Sequence, residues 1–181
     1  MTRGAARIFD EYLVAAARSG DQDAFASLAE RWQGKLLAHA WRLTGDRETA
    51  RDAAQAGWLE IVRGLYRLED ERAFAAWAYR IVSRRCAKQI GETIRRRELG
   101  EALANQPEPV APQASEAIEG EQLRSEIAKL PPDQRSAIAL FYLEDMSVAE
   151  VAVALATPVG TVKTRLMHAR RKLRAALEGD E

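Results

Sequence analysis

The sequence predicts an all-α protein made of two small helical domains joined by a flexible linker. Its 181 residues are rich in Ala, Leu, Arg and Glu, and no stretch alternates Val, Ile or Thr with polar residues. Apolar residues instead recur three, four and seven positions apart, as on one face of a helix. Three prolines at 107–112 interrupt this pattern. We therefore divide the chain into residues 1–97, an acidic, Pro-containing linker at 98–118, and residues 119–181.

The predicted helices of residues 1–97 are separated by residues that end or begin helices. Gly20 ends the first helix, and Thr44-Gly45-Asp46 interrupts the chain before the third. Glycine favours the left-handed conformation at a helix end, and aspartate caps a helix start. A charged loop at 68–72 precedes the fourth helix. We predict helices over 8–19, from Asp21 or Asp23 to Leu43, over 47–66 and over 73–97.

Two stripes run along the third predicted helix. Its apolar stripe, which we expect to face the core, consists of Ala50, Ala54, Trp58, Ile61 and Leu65. On the flank of that stripe lie Asp52, Gln55 and Leu59, whose i, i+3, i+7 spacing puts them on one face. This flank is expected to be exposed and available to a partner.

The fourth predicted helix combines aromatic and basic residues. Its apolar face contains Phe74, Trp77 and Ile81, and its basic stripe contains Arg80, Arg84 and Lys88. Core packing explains the apolar face, and solvation alone is one explanation of the stripe. Few acidic residues lie four positions from these cations, however. Aromatic side chains beside an unpaired basic stripe suit a surface that follows a phosphate backbone and stacks exposed bases.

Two shorter helices open the second half of the chain. The first spans 116–130 and stops at two prolines, because proline cannot continue a helix. The second of these prolines, Pro132, can begin the next helix. We expect Ile138, Phe141 and Tyr142 to pack in the core.

A helix-turn-helix pattern follows. Ser147 and Glu150 have the spacing of a capping box, which begins a first helix. Thr157 is placed to cap a second helix, with Pro158 at its first position, where a missing N–H costs nothing. From 160 to 177 the chain has several cations and no acidic residue. A second helix of this kind can enter a major groove while its cations contact phosphates.

Composition narrows the range of functions. Lys and Arg number 27, as do Asp and Glu, but the cations cluster at 80–97 and after 160, on either side of an acidic block at 101–120. The single cysteine, Cys86, is typical of a reducing compartment. No run of about 18 apolar residues is present. We expect a cytoplasmic protein without membrane insertion.

No catalytic chemistry is predicted. The sequence has no glycine-rich phosphate loop, no Cys/His spacing typical of a metal site and no nucleophile–base pair. His39 lies within an apolar helix, so we interpret it as a packed residue rather than a ligand. We therefore expect no catalytic residue, no metal, no cofactor and no small-molecule substrate.

Several of these motifs occur together in one known family. In residues 1–97 they are Asp23-Ala24-Phe25, Leu36-Leu37, Gly45-Asp46-Arg47, Ala50-Arg51-Asp52 with Gln55, and Phe74-Ala75-Ala76-Trp77 with Tyr79-Arg80-Ile81. In residues 119–181 they are Leu130-Pro131-Pro132, Gln134-Arg135, Tyr142-Leu143-Glu144, Ser147, Pro158–Leu166, Ala169-Arg170 and Leu173. In this order the chain resembles regions 2 and 4 of a bacterial RNA polymerase sigma factor. The resemblance is to the sigma-70 family, extracytoplasmic-function (ECF, group 4) kind.

The resemblance implies a factor that binds core RNA polymerase, through its β′ clamp helices and β flap, and directs initiation at promoter DNA. It also implies control by an anti-sigma factor. The implied core-polymerase-binding residues are Asp52, Gln55 and Leu59. Those for the opened minus-10 element, beside the loop at 66–73, are Trp77, Tyr79, Arg80, Arg84, Arg85 and Lys88. Those for the minus-35 element are Thr157, Val159, Gly160, Thr161, Lys163, Thr164, Arg165, His168, Arg171 and Lys172.

The chain departs from the family pattern at two places. Ala156 stands where the family usually has a turn glycine, and a Cβ costs about 1 kcal/mol if this residue is left-handed. Ala54, Ala56 and Gly57 are smaller than the residues usual in the polymerase-docking helix. This second departure predicts a weaker or differently shaped polymerase contact.

Two other functions are consistent with parts of the pattern. A stand-alone helix-turn-helix regulator binds duplex DNA without polymerase, normally as a dimer on spaced half-sites. A helical scaffold or adaptor needs no basic recognition helix, so neutralising Lys163 and Arg165 leaves its activity unchanged. The sigma-factor interpretation instead predicts weak DNA binding by the protein alone and a 1:1 complex with core polymerase.

Overall fold

The structure, a computed structural model, describes residues 3–98 and 118–178. Regular elements in these ranges are all helical, which confirms the predicted fold class. The α-helices are α1 Arg3–Arg18, α2 Gln22–Thr44, α3 Arg47–Gly64, α4 Phe74–Glu98, α5 Ile118–Lys129, α6 Pro132–Ile138, α7 Val148–Ala154 and α8 Val159–Glu178. Short 3₁₀ turns cover Leu65–Arg67 and Glu71–Ala73, and a π-helical stretch covers Ala139–Leu143. Nearly all of the predicted linker lies outside the described residues.

The helix ends of the N-terminal part, residues 3–98, follow local side-chain chemistry. Asp21 caps α2, because its carboxylate accepts hydrogen bonds from the backbone N–H groups of residues 23 and 24, each at 3.0 Å. Gly45 ends α2 with φ 69°, and Asp46 caps α3 by accepting from the Thr49 N–H at 2.7 Å. Hydrogen bonds from Thr49 hold the pKa of Asp46 below its usual range. The predicted breaks are confirmed, although α1 begins at Arg3 rather than at residue 8.

Close packing of α3 on α4 explains the small residues of α3. A Cβ placed on Gly57 lies 2.8 Å from Cγ2 of Val82, and Ala54 is only 5% exposed. These two residues therefore face the core rather than a partner. Our interpretation of them as a departure in the polymerase contact was wrong, and Ala56 is half-buried beside them.

In the C-terminal part, residues 118–178, the helix after Pro132 changes its winding. The N–H of Glu144 bonds to the carbonyl of Ala139 at 3.2 Å, an i→i+5 bond that defines a π turn. This wider turn rotates the following side chains relative to a regular α-helix. Tyr142 lies within this stretch and is 43% exposed, contrary to our prediction, whereas Ile138, which precedes it, is buried.

The two described parts of the chain pack together, with α7 against α4 and α6 against α2. The Arg135 guanidinium donates two hydrogen bonds to the carbonyl oxygen of Arg42, at 2.7 and 3.2 Å, and lies 5.2 Å from the centroid of the Trp41 ring. Burial, followed by the nearby Arg42 charge, lowers the pKa of Arg135. The Lys35 ammonium lies 2.9 Å from the Glu144 carboxylate. Helix packing and specific polar contacts therefore both hold the two parts together along this interface, which we call the seam.

A buried histidine lies beside the seam. His39 has no exposed surface, and its Nε2 lies 2.8 Å from the Ser83 hydroxyl. Burial, and then the charge of Arg42, lowers the pKa of His39 to about 3. It is a packed, neutral residue, as the sequence predicted.

The burial of His39 makes stability depend on pH. The unfolded chain takes up a proton near pH 6.5, but the folded state does so only near pH 3, so acid favours unfolding across that interval. We expect wild type to lose about 1 kcal/mol of unfolding free energy between about pH 7 and 5.5, measured by urea denaturation. His39→Gln removes this loss, whereas His168→Gln, at a half-buried position on α8, retains it. If the free energy of unfolding changes equally with pH in wild type and in His39→Gln, the prediction is contradicted.

Candidate polymerase- and DNA-binding surfaces

One face of α3 is open along most of the helix. Asp52 and Gln55 are exposed, and Leu59 is 55% exposed. The face continues through Val62 and Tyr66, which are 49% and 60% exposed. Sequence analysis missed these last two, although they extend the same i+3 and i+7 spacing from Leu59. We call these five residues the docking face, because an exposed apolar patch with a polar rim is typical of an interaction site.

A cleft of about 730 Å³ lies between the end of α3, the following loop and the start of α4. The half-buried indole of Trp77 lines it, and a Cβ on Gly64 would lie only 2.9 Å from Cζ2 of that ring. Arg63, Arg67 and Arg80 also line the cleft. Its acidic lining residues are Glu60, Glu69 and Asp70. We call this the α3–α4 cleft; it joins an aromatic surface to several cations.

The basic stripe of α4 has more partners than its spacing predicted. Glu60 of α3 forms ion pairs with both Arg84 and Arg85, and Lys88 lies 3.9 Å from Glu92. The expectation that this stripe is unpaired was therefore wrong for Arg84, and Arg85, which lies beside the stripe, is paired in the same way. Their partner comes from another helix, which the i, i+4 rule cannot reveal.

Tyr79 does not belong to the exposed surface of α4. Its side chain has no exposed area, and its ring packs 5.5 Å from that of Trp32 and 5.0 Å from that of His39. Burial raises the pKa of Tyr79 well above its usual value. The assignment of Tyr79 to minus-10 DNA is corrected, because a ring enclosed in the core cannot stack on a base.

The helix-turn-helix is present in the C-terminal part. The Glu150 N–H donates to the Ser147 hydroxyl at 3.2 Å and the Ser147 N–H donates to the Glu150 carboxylate at 2.8 Å, which confirms the capping box. The second helix begins one residue later than predicted, at Val159, with Pro158 accepting its first backbone bond. Thr157 is not its cap, because its hydroxyl donates to the Leu155 carbonyl and accepts from the Arg165 guanidinium rather than from a backbone N–H of α8.

Ala156 adopts the left-handed conformation at the turn, with φ 49°. We expect Ala156→Gly to raise the free energy of unfolding by about 1 kcal/mol, because it removes the Cβ that crowds this backbone. Chemical denaturation measures the change. Ala154→Gly, two residues earlier inside α7, is the matched control and is expected to destabilise by about 1 kcal/mol. A loss of stability in both variants would contradict a strained turn.

The recognition helix α8 presents an exposed face near its N-terminus. Val162, Leu166 and Ala169 are buried and hold the helix against its neighbours. The predicted DNA-binding residues that are exposed are Val159, Gly160, Thr161, Lys163, Thr164, Arg171 and Lys172. Thr157 and His168 are half-buried, and His168 Nδ1 lies 3.3 Å from the Arg171 guanidinium.

Arg165 is held away from this exposed face. Its guanidinium donates to the Asp133 carboxylate at 2.7 Å and to the Thr157 hydroxyl at 3.3 Å, and its side chain is only 23% exposed. Arg165 therefore fastens α8 to α6 and to the turn. Asp133 was not among the residues that sequence analysis singled out, since 32 positions separate it from Arg165.

Two kinds of feature are absent from the described part of the chain, a membrane-spanning helix and a metal-binding cluster. No helix within 3–98 or 118–178 is long and apolar enough to cross a bilayer. The same ranges contain no group of three or more His, Cys, Asp or Glu side chains arranged to hold a metal ion. Cys86 is buried, and burial raises the pKa of its thiol to about 12.

A helix-turn-helix with an open recognition face, joined to a helical unit with an aromatic and basic cleft, defines a two-part DNA-binding protein. Comparison with known families specifies the class. The family model for Sigma-70 region 2 matches residues 28–96, and that for Sigma-70, region 4 matches residues 120–173. The chain belongs to the sigma-70 family of RNA polymerase sigma factors, in its extracytoplasmic-function group.

The similarity to individual proteins extends over nearly the whole chain. RNA polymerase sigma-H factor of Pseudomonas aeruginosa is 30% identical over 93% of this chain and 94% of its own length. ECF RNA polymerase sigma factor SigW of Bacillus subtilis is 28% identical over 88% and 92%. CnrH, solved in complex with the cytosolic domain of CnrY, is 30% identical with a TM-score of 0.60, over 96% and 99%.

A second solved structure supports the fold alone. The sigma factor RpoE of Bartonella quintana, solved with the anti-sigma factor NepR, has a TM-score of 0.69 at 22% identity, over 87% of this chain and 98% of that one. Membership of the family makes this protein a transcription initiation factor that acts with core RNA polymerase at promoters. A stand-alone regulator is not favoured.

Proposed function

We propose that the described surfaces divide promoter recognition between the two halves of the chain. Residues 1–97 bind core polymerase and the opened minus-10 element, residues 119–181 bind the minus-35 element, and residues 98–118 link them. The observation that carries this proposal is the presence of three open surfaces with different side-chain chemistry: the docking face, the α3–α4 cleft and the exposed face of α8. Each has the chemistry that its partner requires.

The docking face binds the β′ clamp helices of the polymerase. Asp52 and Gln55 supply polar contacts at its N-terminal end, and Leu59, Val62 and Tyr66 supply exposed apolar area. An amphipathic face of this kind packs on a partner helix, since removal of apolar area from water drives association.

The second half of the chain, residues 119–181, contacts the β flap of the polymerase.

The α3–α4 cleft captures a base from the opened non-template strand. Flipping a base out of the stack costs a few kcal/mol, and stacking on an aromatic ring returns about 1–3 kcal/mol. Trp77 offers that ring. Arg80 is exposed and, among the described residues, has no carboxylate partner, so it is free to contact a phosphate. Lys88, two turns further along α4, extends the same contact.

The exposed N-terminal turns of α8 enter the major groove at the minus-35 element. Thr161, Lys163 and Thr164 are placed to contact base edges, because recognition helices read bases with their first turns. Arg171 and Lys172 lie further along the helix, where they contact phosphates. Arg165 orients α8 through Asp133 instead of extending into the groove.

An anti-sigma protein is the proposed regulator. The Bartonella RpoE was solved with the anti-sigma factor NepR, and CnrH was solved with the cytosolic domain of CnrY. The docking face is the surface that such an inhibitor must cover in order to exclude polymerase. The protein then acts in the cytoplasm, where polymerase and DNA are found.

Run-off transcription tests the proposed function. Purified protein and core polymerase are incubated with a library of genomic fragments, and new start sites are mapped. We expect starts that share two sequence elements and depend on the added protein. If no starts exceed the background of core polymerase alone, the proposal is wrong. Duplex binding by the pure protein as a dimer would favour the stand-alone regulator.

A further inference from the structure

The carboxylate of Glu60 connects α3 to two consecutive arginines of α4. One of its oxygens, Oε2, accepts hydrogen bonds from Nε and Nη2 of Arg85 at 3.0 and 2.7 Å. The other, Oε1, accepts from Nη2 of Arg84. Both carboxylate oxygens are therefore occupied, and one anion holds Arg84 of the basic stripe and the neighbouring Arg85.

These ion pairs lie near the surface and can be exchanged. The side chains of Arg84 and Arg85 are 62% and 35% exposed, and that of Glu60 is 28% exposed. Ion pairs in such positions contribute little to stability, because water and salt screen them. A phosphate presents the same charge as the carboxylate and similar acceptor geometry, so it can replace Glu60 as the partner of either guanidinium.

Arg80 shows the contrast within the same stripe. It lies one turn before Arg84 and lines the α3–α4 cleft together with Glu60. No carboxylate pairs with it in the described part of the chain. Arg80 is thus open, whereas the next two cations along α4, Arg84 and Arg85, are paired with Glu60.

We propose that Glu60 is a positioning residue. Its carboxylate holds the side chains of Arg84 and Arg85 against α3 until DNA phosphates displace it. The carboxylate lowers the affinity of the uncombined protein for single-stranded DNA, and it leaves the first contact to Trp77 and to the other cations of the cleft, Arg63, Arg67 and Arg80. Strand phosphates then exchange with Glu60 and release both arginines. The inference rests on the proposed capture of the minus-10 strand by the α3–α4 cleft.

Salt dependence of strand binding tests this role. The probe is a fluorescein-labelled thymidine oligonucleotide about 20 nucleotides long, and the full chain is titrated into it at several salt concentrations while anisotropy is recorded. Glu60→Gln is nearly isosteric and partly exposed, so the fold is retained, which thermal melting verifies. We expect about 2- to 30-fold tighter binding at about 0.1 M salt. The slope of log K against log salt is expected to match that of wild type, because the bound strand contacts Arg84 and Arg85 in both complexes and the same phosphates are neutralised.

Two further variants make the result specific. Glu48→Gln changes net charge equally on an exposed position of α3, about 18 Å along the helix from Glu60, and is expected to change affinity less than about twofold. The triple variant Glu60→Gln, Arg84→Ala, Arg85→Ala is expected to bind no more tightly than wild type. A merely structural role of Glu60 would lower the melting temperature of Glu60→Gln without tightening strand binding.

The proposal is overturned if Glu60→Gln binds no more tightly than Glu48→Gln. It is also overturned if the gain persists in the triple variant, since the arginines would then not be its source. Failure of the proposed function is recognised separately, by the absence of protein-dependent starts in run-off transcription with wild type. Normal transcription combined with an unchanged strand affinity of Glu60→Gln refutes the role of Glu60 alone.

Discussion

Replacement of Leu59 by aspartate is expected to weaken the complex with core RNA polymerase by about 30-fold or more, which corresponds to at least about 2 kcal/mol. Leu59 is 55% exposed in the centre of the docking face, so the free protein loses little when it is changed. In the complex, the variant loses apolar burial and places a carboxylate against a desolvated partner surface. Fluorescence anisotropy or surface plasmon resonance with purified core polymerase measures the change in Kd.

The control for this prediction is Leu37→Asp. Leu37 is 42% exposed on α2 and lies outside the docking face, so its replacement adds the same charge to a comparably exposed leucine. We expect its affinity for core polymerase to match that of wild type. If both variants lose affinity equally, or if neither does, the assignment of the docking face is incorrect.

Replacement of Trp77 by alanine is expected to reduce the formation of open promoter complexes by about 5- to 150-fold, because stacking of one base on an aromatic ring contributes about 1–3 kcal/mol. Permanganate footprinting of an otherwise native promoter measures strand opening. Core-polymerase binding is expected to be unchanged, since Trp77 lines the α3–α4 cleft rather than the docking face.

Trp77 also packs against Gly64, so its removal affects stability as well as stacking. Trp77→Phe separates the two effects, because it keeps an aromatic surface in the cleft and restores most of the opening. On a promoter whose minus-10 region is already open, wild type and Trp77→Ala are expected to differ less in the amount of open complex that they form. Equal opening by wild type and Trp77→Ala at matched thermal stability would contradict the role of the cleft in base capture.

Helix ends could be predicted from the sequence where one or two neighbouring residues decide them. Asp21, Gly45 and Asp46 end or begin helices through bonds to backbone groups a few positions away. The capping box of Ser147 and Glu150 works in the same way. Such interactions depend on spacing along the chain, which the sequence displays directly.

Contacts between distant residues could not be predicted in this way. The periodicity of α4 grouped Arg80 and Arg84 in one unpaired stripe. In the structure, however, Glu60 of α3 forms an ion pair with Arg84. Asp133 likewise restrains Arg165 from 32 positions away. Periodicity shows which residues share a helix face, but it contains no information on which other helix will cover that face.

The sequence by itself determined the helical class, the breaks between helices, the helix-turn-helix and the sigma-70 family, because these depend on local spacing and on motifs in order. Only the tertiary structure decided which predicted residues are available. It placed Tyr79 in the core and left Arg80 free beside Trp77, and it extended the docking face through Val62 and Tyr66. The physical reason is that burial and ion pairing depend on how helices distant in sequence pack, whereas helix formation depends on neighbours along the chain.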